Sequence, residues 1–146
     1  MDAEKKQFVV FEIEHEEFGV DINKVTVIER IMNIARVPMT PQYIKGVINL
    51  RGDIIPVMSL RMRLGLSEKE EDDDTRIIII EINQISFGIV VDSVSEVLQF
   101  EETQIESVTG VINDKTVDYI NGVAKSGARL IALLNLEKLI SELVSV

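Results

Sequence analysis

The chain has 146 residues, no cysteine and a formal net charge of −10. Its length fits one compact domain or two small lobes, and the lack of cysteine excludes disulfides, thiolate nucleophiles and cysteine metal sites. A strongly acidic chain does not gather on phosphate backbones, so we do not expect nucleic acid as a partner.

The first half of the chain carries five strand candidates. Apolar or alternating runs lie at residues 7–13, 18–20, 25–31, 46–50 and 54–58. Asp21 can cap a short helical turn, and Thr40-Pro41 is typical of a helix start, with Gly46 ending that turn. The stretch Ser59 to Gly65 predicts a short helix that is closed by glycine.

The second half begins after residues 67–74, the most polar stretch, which is either the connection between two halves or a mobile loop. Its clustered like charges and few apolar residues predict that it is more mobile than either barrel. Five further strand candidates lie at residues 76–82, 85–91, 94–100, 117–124 and 129–134. Residues 103–106 predict a helical turn and residues 108–115 a loop. Asn135 precedes a helical stripe that either faces the core or receives a partner. The stripe consists of Leu136, Leu139, Ile140, Leu143 and Val144.

The two halves resemble each other in sequence. Phe18-Gly19-Val20 matches Phe87-Gly88-Ile89 at a spacing of 69 residues, and Glu12-Ile13 and Val25 have counterparts at the same spacing. Ile44-Lys-Gly-Val47 matches Ile120-Asn-Gly-Val123 at a spacing of 76 residues. A repeat with five strand candidates in each copy predicts two small five-stranded barrels.

The central stretch Tyr43 to Val57 predicts a β-hairpin with Arg51-Gly52-Asp53 at its turn. Arg51 either forms a local ion pair with Asp53 or anchors a partner, and the residues alone leave both open. Pro56 cannot donate to a sheet ladder, which predicts that its strand lies at an edge or a bulge.

Other chemistry finds little support in the residues. His15, the single histidine, stands among glutamates without the converging ligands or orienting partner of a metal site or general base, so we interpret it as a turn residue. Asp72-Asp73-Asp74 lacks the alternate spacing and the glycine of an EF-hand loop. The glycines form no phosphate-binding loop. We therefore predict no catalytic residues, no metal and no cofactor.

The central stretch of the sequence resembles a motif of a known family. Tyr43-Ile-Lys-Gly-Val-Ile-Asn-Leu-Arg-Gly-Asp-Ile-Ile-Pro-Val57 is similar to the central motif of the CheW-like domain of bacterial chemotaxis. Weaker matches include Phe18-Gly-Val-Asp-Ile22 and Gly88-Ile-Val-Val-Asp-Ser-Val94, and together they extend over most of the chain, from about Phe8 to Ile140.

The resemblance implies an all-β fold of two five-stranded SH3-like barrel lobes, with short helical turns and a C-terminal helix. It implies one CheW-like domain over residues 1–146, with lobes joined near residues 67–75 and an exchange of strands between lobes left open. It also implies a non-enzymatic adaptor that binds the cytoplasmic tip of chemoreceptors and the regulatory domain of the histidine kinase CheA. Because no apolar run could span a membrane and no signal peptide is visible, we expect a cytoplasmic protein recruited to receptor arrays.

The resemblance also implies site residues. The arginine of Asn-Leu-Arg-Gly belongs to the partner-binding surface of the family, and receptor contacts lie on apolar positions after the Phe-Gly-x-Asp turn. Some members carry a glutamate at the position of Val27, for which Glu29 is the nearest acid here. The expected partner-binding residues are Arg51, Asn49, Leu50, Gly52, Ile22, Val25, Ile28, Glu29, Val94 and Leu98.

Two other interpretations remain open. The same fold occurs as the regulatory domain of a chemotaxis histidine kinase. A small β-barrel enzyme or ligand-binding protein is the third interpretation, since a pair of carboxylates among 25 acidic residues could line a pocket.

Overall fold

The computed structural model describes residues 5–107 and 119–144. The described residues form eleven strands, two α-helices and two 3₁₀ turns, at Ile22–Lys24 and Glu102–Gln104. The strands and helices are β1 (Lys5–Ile13), β2 (Glu16–Asp21), β3 (Val25–Arg30), β4 (Ile44–Leu50), β5 (Asp53–Ser59), α1 (Leu60–Arg63), β6 (Arg76–Ile82), β7 (Ile85–Val91), β8 (Ser93–Glu101), β9 (Ile105–Glu106), β10 (Ile120–Ser126), β11 (Arg129–Leu134) and α2 (Leu136–Val144).

The chain divides into two compact units, the first made of residues up to 23 and from 95 onward. Its sheet has the strand order β8-β1-β2-β11-β10-β9, in which β2 and β11 run parallel. Apolar side chains on one face of this sheet form a buried cluster of Phe8, Val10, Phe100, Ala124, Ile131 and Leu133. The α2 side chains Leu136, Leu139 and Ile140 are also buried, so this part of the C-terminal stripe faces the core.

The second unit spans residues 24–94 and contains a five-stranded sheet in the order β3-β6-β7-β5-β4. Here β5 and β7 are the parallel pair. Its core cluster consists of Ile48, Ile55, Val57, Ile77 and Ile79. Ile31, Met32 and Ile34, which follow β3, pack on this cluster before Ala35 bridges to Val47 of β4. The segment thus leads from one edge strand to the other, which fits a curled, SH3-like lobe.

The sequence repeat reappears in the topology with an exchange of strands. By the repeat spacing, β1, β2 and β3 correspond to β6, β7 and β8, while β4 and β5 correspond to β10 and β11. Each sheet therefore combines the first two strands of one repeat with the last three of the other. The chain passes between units at residues 23–24 and 94–95. The expected junction near residues 67–75 is wrong, because that segment joins α1 to β6 inside the second unit.

Two-residue turns of the same type close three of the hairpins. Both central residues have positive φ in Glu14-His15, Arg51-Gly52 and Asn83-Gln84. This conformation matches the twist of antiparallel strands. His15 is accordingly an exposed residue of the turn between β1 and β2.

A glycine marks a bulge at the same place in each repeat. The register shifts between Ile44 and Gly46 and again between Ile120 and Gly122. A Cβ on Gly46, where φ is +146°, would overlap the carbonyl oxygen of Ala35. A Cβ on Gly122 would lie 2.7 Å from the carbonyl oxygen of Glu106. Gly46 therefore permits a close approach of backbones and does not end a helix.

Most predicted elements are confirmed, including the turn after Asp21, the short helix after Ser59 and the C-terminal helix. The Asp21 carboxylate accepts the N–H of Asn23 at 2.9 Å. Ser59 accepts the N–H of Met62 at 3.3 Å, and Asn135 accepts that of Lys138 at 3.1 Å.

Three predictions about elements are wrong. Thr40-Pro41 starts no helix, because the Thr40 hydroxyl donates to the carbonyl of Val37 and closes a turn instead. Pro56 lies in an interior strand, but the ladder to β7 begins only at Val57, so no donor is missing there. The first sheet has six strands rather than five, because β9 pairs with β10 there. In the second unit, the corresponding position holds only the single bridge between Ala35 and Val47. The predicted loop at residues 108–115 lies outside the described residues.

Candidate functional site

The turn between β4 and β5 presents Arg51 at the tip of a hairpin. Arg51 has a φ of 54° and Gly52 a φ of 90°. The Asn49 side chain accepts the N–H of Gly52 at 3.0 Å and so fixes the turn from within. Nothing lies within 4 Å of a Cβ built on Gly52, so its positive φ alone calls for glycine.

The Arg51 side chain is exposed and, among the described residues, forms no hydrogen bond or ion pair. The local pair with Asp53 that the sequence left open is therefore not formed. Ile54, which the sequence analysis missed as a surface residue, lies opposite Asn49 and is 64% exposed. We call Asn49, Arg51, Gly52 and Ile54 the tip surface.

Leu50 differs from its neighbours in the motif. It is half-buried and packs against the core cluster of the second unit. Its side chain therefore helps to hold the hairpin on the sheet, whereas the side chains of Arg51 and Ile54 are exposed to solvent.

A second group of expected site residues lies on β3, at the other edge of the same sheet. Val25 pairs with Ile80 and Ile28 with Ile78, so both share one face of the sheet. Ile28 is 38% exposed and Val25 is half-buried. Glu29 pairs with Ile77 and lies on the opposite, core-cluster face. We call Val25 and Ile28 the β3 surface.

The remaining expected residues are not brought into these groups. Ile22 is half-buried in the 3₁₀ turn of the first unit, and Val94 is half-buried at the end of the second. Leu98 packs against the core cluster of the first unit. Val97, which the sequence analysis did not single out, is the more exposed apolar residue of β8, at 49%.

A second arginine in a hairpin shows the contrast with Arg51. Arg129, which directly follows the β10–β11 turn, donates to Glu17 at 2.7 Å and to Glu96 at 2.9 Å. These hydrogen bonds raise the pKa of Arg129 further above its usual value. Arg129 thus ties three strands of its own unit together.

Metal and membrane chemistry find no candidate in the part of the chain that the structure describes. No group of three or more histidine or acidic side chains there could hold a metal ion. None of the described helices combines the length and apolar character needed to cross a bilayer.

Comparison of the sequence with known proteins identifies the family of the chain. The sequence model of the CheW-like domain matches residues 7–144. The chain belongs to the CheW-like domain family. It is 36% identical to a chemotaxis protein CheW of Klebsiella aerogenes over 93% of this chain and 82% of that protein. It is 38% identical to that of Bacillus subtilis, over 92% and 88%.

A solved structure in the family shares the fold. The crystal structure of the scaffolding protein TtCheW from Thermoanaerobacter tengcongensis matches with a TM-score of 0.84, at 37% identity and over 90% of each chain. The mostly-β fold of two sheets is thereby confirmed. As a CheW-like protein with these relatives, the chain is a chemotaxis adaptor.

Proposed function

We propose that this adaptor couples the cytoplasmic tips of chemoreceptors to the histidine kinase CheA by offering each partner its own surface. The observation that carries the proposal is Arg51. It stands exposed on a strained turn, and within the described residues its guanidinium bonds to nothing. Arginine is favoured at interface anchors because its planar fork binds carboxylates and its stem covers apolar surface.

The tip surface suits a partner with acidic groups or carbonyls beside an apolar spot. Arg51 supplies five N–H donors, and Ile54 supplies the exposed apolar contact next to the turn. We assign this surface to the kinase.

The β3 surface suits a helix. Val25 and Ile28 present apolar side chains on one face of an edge strand, and an amphipathic helix can lay its apolar face on such a strip. We assign this surface to the receptor tip. In the strand order, β3 and β4 are the two ends of one sheet, so two partners have separate attachment strands.

Such a scaffold works by binding, without a chemical step. A receptor whose conformation favours one state of the bound kinase biases kinase activity through the coupling free energy of the two binding events. The setting for this role is the cytoplasmic ends of clustered receptors.

Binding measurements with purified receptor tips and with the CheA regulatory domain test the proposal. We expect the wild type to bind both. Ile28→Glu is expected to weaken receptor binding at least tenfold and to leave kinase binding unchanged. Ile85→Glu is the matched control, because Ile85 is 39% exposed on the same sheet.

Two outcomes would contradict the proposal. A wild-type protein that binds neither partner removes the coupling role. Equal effects of Ile28→Glu and Ile85→Glu on both partners remove the β3 surface.

A further inference from the structure

An acidic segment is docked on the second unit. Ser67 to Thr75, which we call the strap, joins α1 to β6 and carries six acidic residues and one lysine. At one end, Arg61 Nε donates to the carbonyl of Ser67 at 2.9 Å. At the other end, Thr75 is buried, and its N–H donates to the carbonyl of Asp72 at 3.2 Å.

Between these ends a single carboxylate makes the closest contacts. Ser59 Oγ donates to Glu68 Oε1 at 2.6 Å, and Lys45 Nζ donates to Glu68 Oε2 at 2.9 Å. Lys45 forms a second ion pair at 3.6 Å with Glu71. Both ion pairs of Lys45 among the described residues therefore go to the strap.

The two donors form a cradle in the protein surface. Ser59 is 2% exposed, and the Lys45 side chain is 19% exposed. The Ser59 oxygen already accepts the N–H of Met62, so its one proton is available for an acceptor such as Glu68. Asp92 lines the same space, but its carboxylate accepts from Arg61 at 2.6 Å and its charge is compensated.

The electrostatics of the cradle favour an anion. Burial raises the pKa of Glu68, but the hydrogen bonds from Ser59 and Lys45 and the charges of Lys45 and Arg61 outweigh it and lower the pKa below its ordinary value. A partly buried lysine and a buried serine hydroxyl need such a partner, because an unsatisfied buried donor is costly.

We propose that Lys45 and Ser59 form an oxyanion-binding site that the strap occupies with its own Glu68 carboxylate. The strap is then an intramolecular competitor, and the site accepts an external carboxylate, phosphate or sulfate group only when the strap has left. A tethered carboxylate competes at an effective concentration in the millimolar range. This inference depends on no particular partner and stands apart from the proposed function.

The first test asks whether Glu68 holds the strap. In Glu68→Ala, the ¹⁵N heteronuclear NOE of residues 67–71 should fall toward values of a flexible loop. Glu70→Ala is the matched control, because Glu70 lies in the same strap and forms no hydrogen bond or ion pair with a described residue. Equal NOE values in the wild type and both variants would overturn the docking role.

The second test asks whether the vacated site binds an oxyanion. Sulfate and acetate are titrated separately, at constant ionic strength, while the amide signals of Lys45 and Ser59 are followed. In Glu68→Ala we expect saturable shifts with an affinity at least tenfold higher than in the wild type or in Glu70→Ala. Sulfate and acetate together distinguish a tetrahedral dianion from a planar carboxylate.

The absence of saturable shifts in Glu68→Ala for both probes overturns the site, as do equal shifts in all three proteins. Glu68→Gln, which removes the charge and keeps an acceptor for Ser59, replaces the alanine variant if the latter loses its dispersed spectrum. The same two outcomes then decide.

Discussion

Arg51 combines a costly backbone with a side chain that makes no bond within the described chain. A left-handed conformation costs a non-glycine residue about 1–2 kcal/mol, and Asn or Gly would fill this turn position more cheaply. Folding therefore gives no reason for an arginine here. The proposed contact between its guanidinium and a partner would give one.

Arg51→Glu should separate folding from binding. We expect the thermal unfolding midpoint to stay within 1–2 °C, since no ion pair with a described residue is lost. Affinity for the CheA regulatory domain should fall by about 2–4 kcal/mol, on the order of 30- to 1,000-fold, as for a charged hot spot.

Lys138→Glu is the control for Arg51→Glu, because it reverses an exposed cation on α2. It should leave binding unchanged. A mutant at Arg51 that unfolds several degrees early would make Arg51 a structural residue, and unchanged affinity for both partners would remove it from the interface.

Glu68 predicts a dependence of stability on acid pH. Its pKa in the folded state is lowered from the ordinary 4.5, so its contribution is present above pH 4.5 and is lost as pH falls through the folded-state value. Because the side chain is 42% exposed, solvent screening limits this contribution to about 1 kcal/mol.

Urea unfolding of the wild type and Glu68→Gln checks this pH dependence. The difference in unfolding free energy between the two proteins should be present at pH 7 and shrink toward pH 3. A difference that is the same at both pH values would show that the Glu68 carboxylate contributes through packing and not through charge.

The residues of the site were only partly predictable from sequence. The Asn-Leu-Arg-Gly motif identified the turn, and the structure places Arg51 in solvent. Ile54 was missed because Ile54-Ile55-Pro56-Val57 is apolar at every position, so no alternation tells which side chain faces out.

Among the elements, the bulge at Gly46 should be sensitive to a single methyl group. Gly46→Ala forces a Cβ against the backbone of Ala35 at a φ of +146°, and we expect a loss of about 2–4 kcal/mol in unfolding free energy. Gly65→Ala, at a φ of +86° with open space around the Cβ, should cost only about 1 kcal/mol. Urea denaturation of both variants compares them. Equal losses would show that crowding by Ala35 is relieved elsewhere.

Elements with a strong local pattern were predicted with their bounds, and those set by distant pairing were not. β6 and β11 agree at both ends with the runs seen in sequence, because a polar or glycine turn bounds each run. Pro56 suggested an edge strand because no local pattern indicates the pairing of β5 with β7. This parallel partner lies about 30 residues further along the chain. β9 has only two residues and is defined as a strand only by its pairing with β10, so no local sequence pattern indicates it.

At the scale of the whole molecule, the exchange of strands predicts how the chain tolerates division. A cut within the strap leaves two fragments, each holding strands of both sheets. Fragments 1–70 and 71–146 should be largely unfolded alone and should regain the β-sheet circular dichroism when mixed. Fragment 24–94, of nearly the same length as 1–70, contains a whole five-stranded sheet and should show sheet structure by itself.

A 1–70 fragment with as much sheet signal as 24–94 would contradict the need for exchanged strands. Failure of 1–70 and 71–146 to combine would show that the covalent connection is required for assembly. Size-exclusion chromatography of the mixed fragments measures their association.

The strand exchange also suggests an ancestry. A half-length chain with the strands of one repeat could not complete a sheet alone, but two identical copies trading their first two strands would build both. After gene fusion of such a swapped pair, the two repeats could diverge in sequence, since a mutation would then change one tip and not the other. The present chain carries that asymmetry: Arg51 stands at one tip, and Gly127 occupies the matching position of the other. Duplication would in this way have allowed one tip to change while the other kept its sequence.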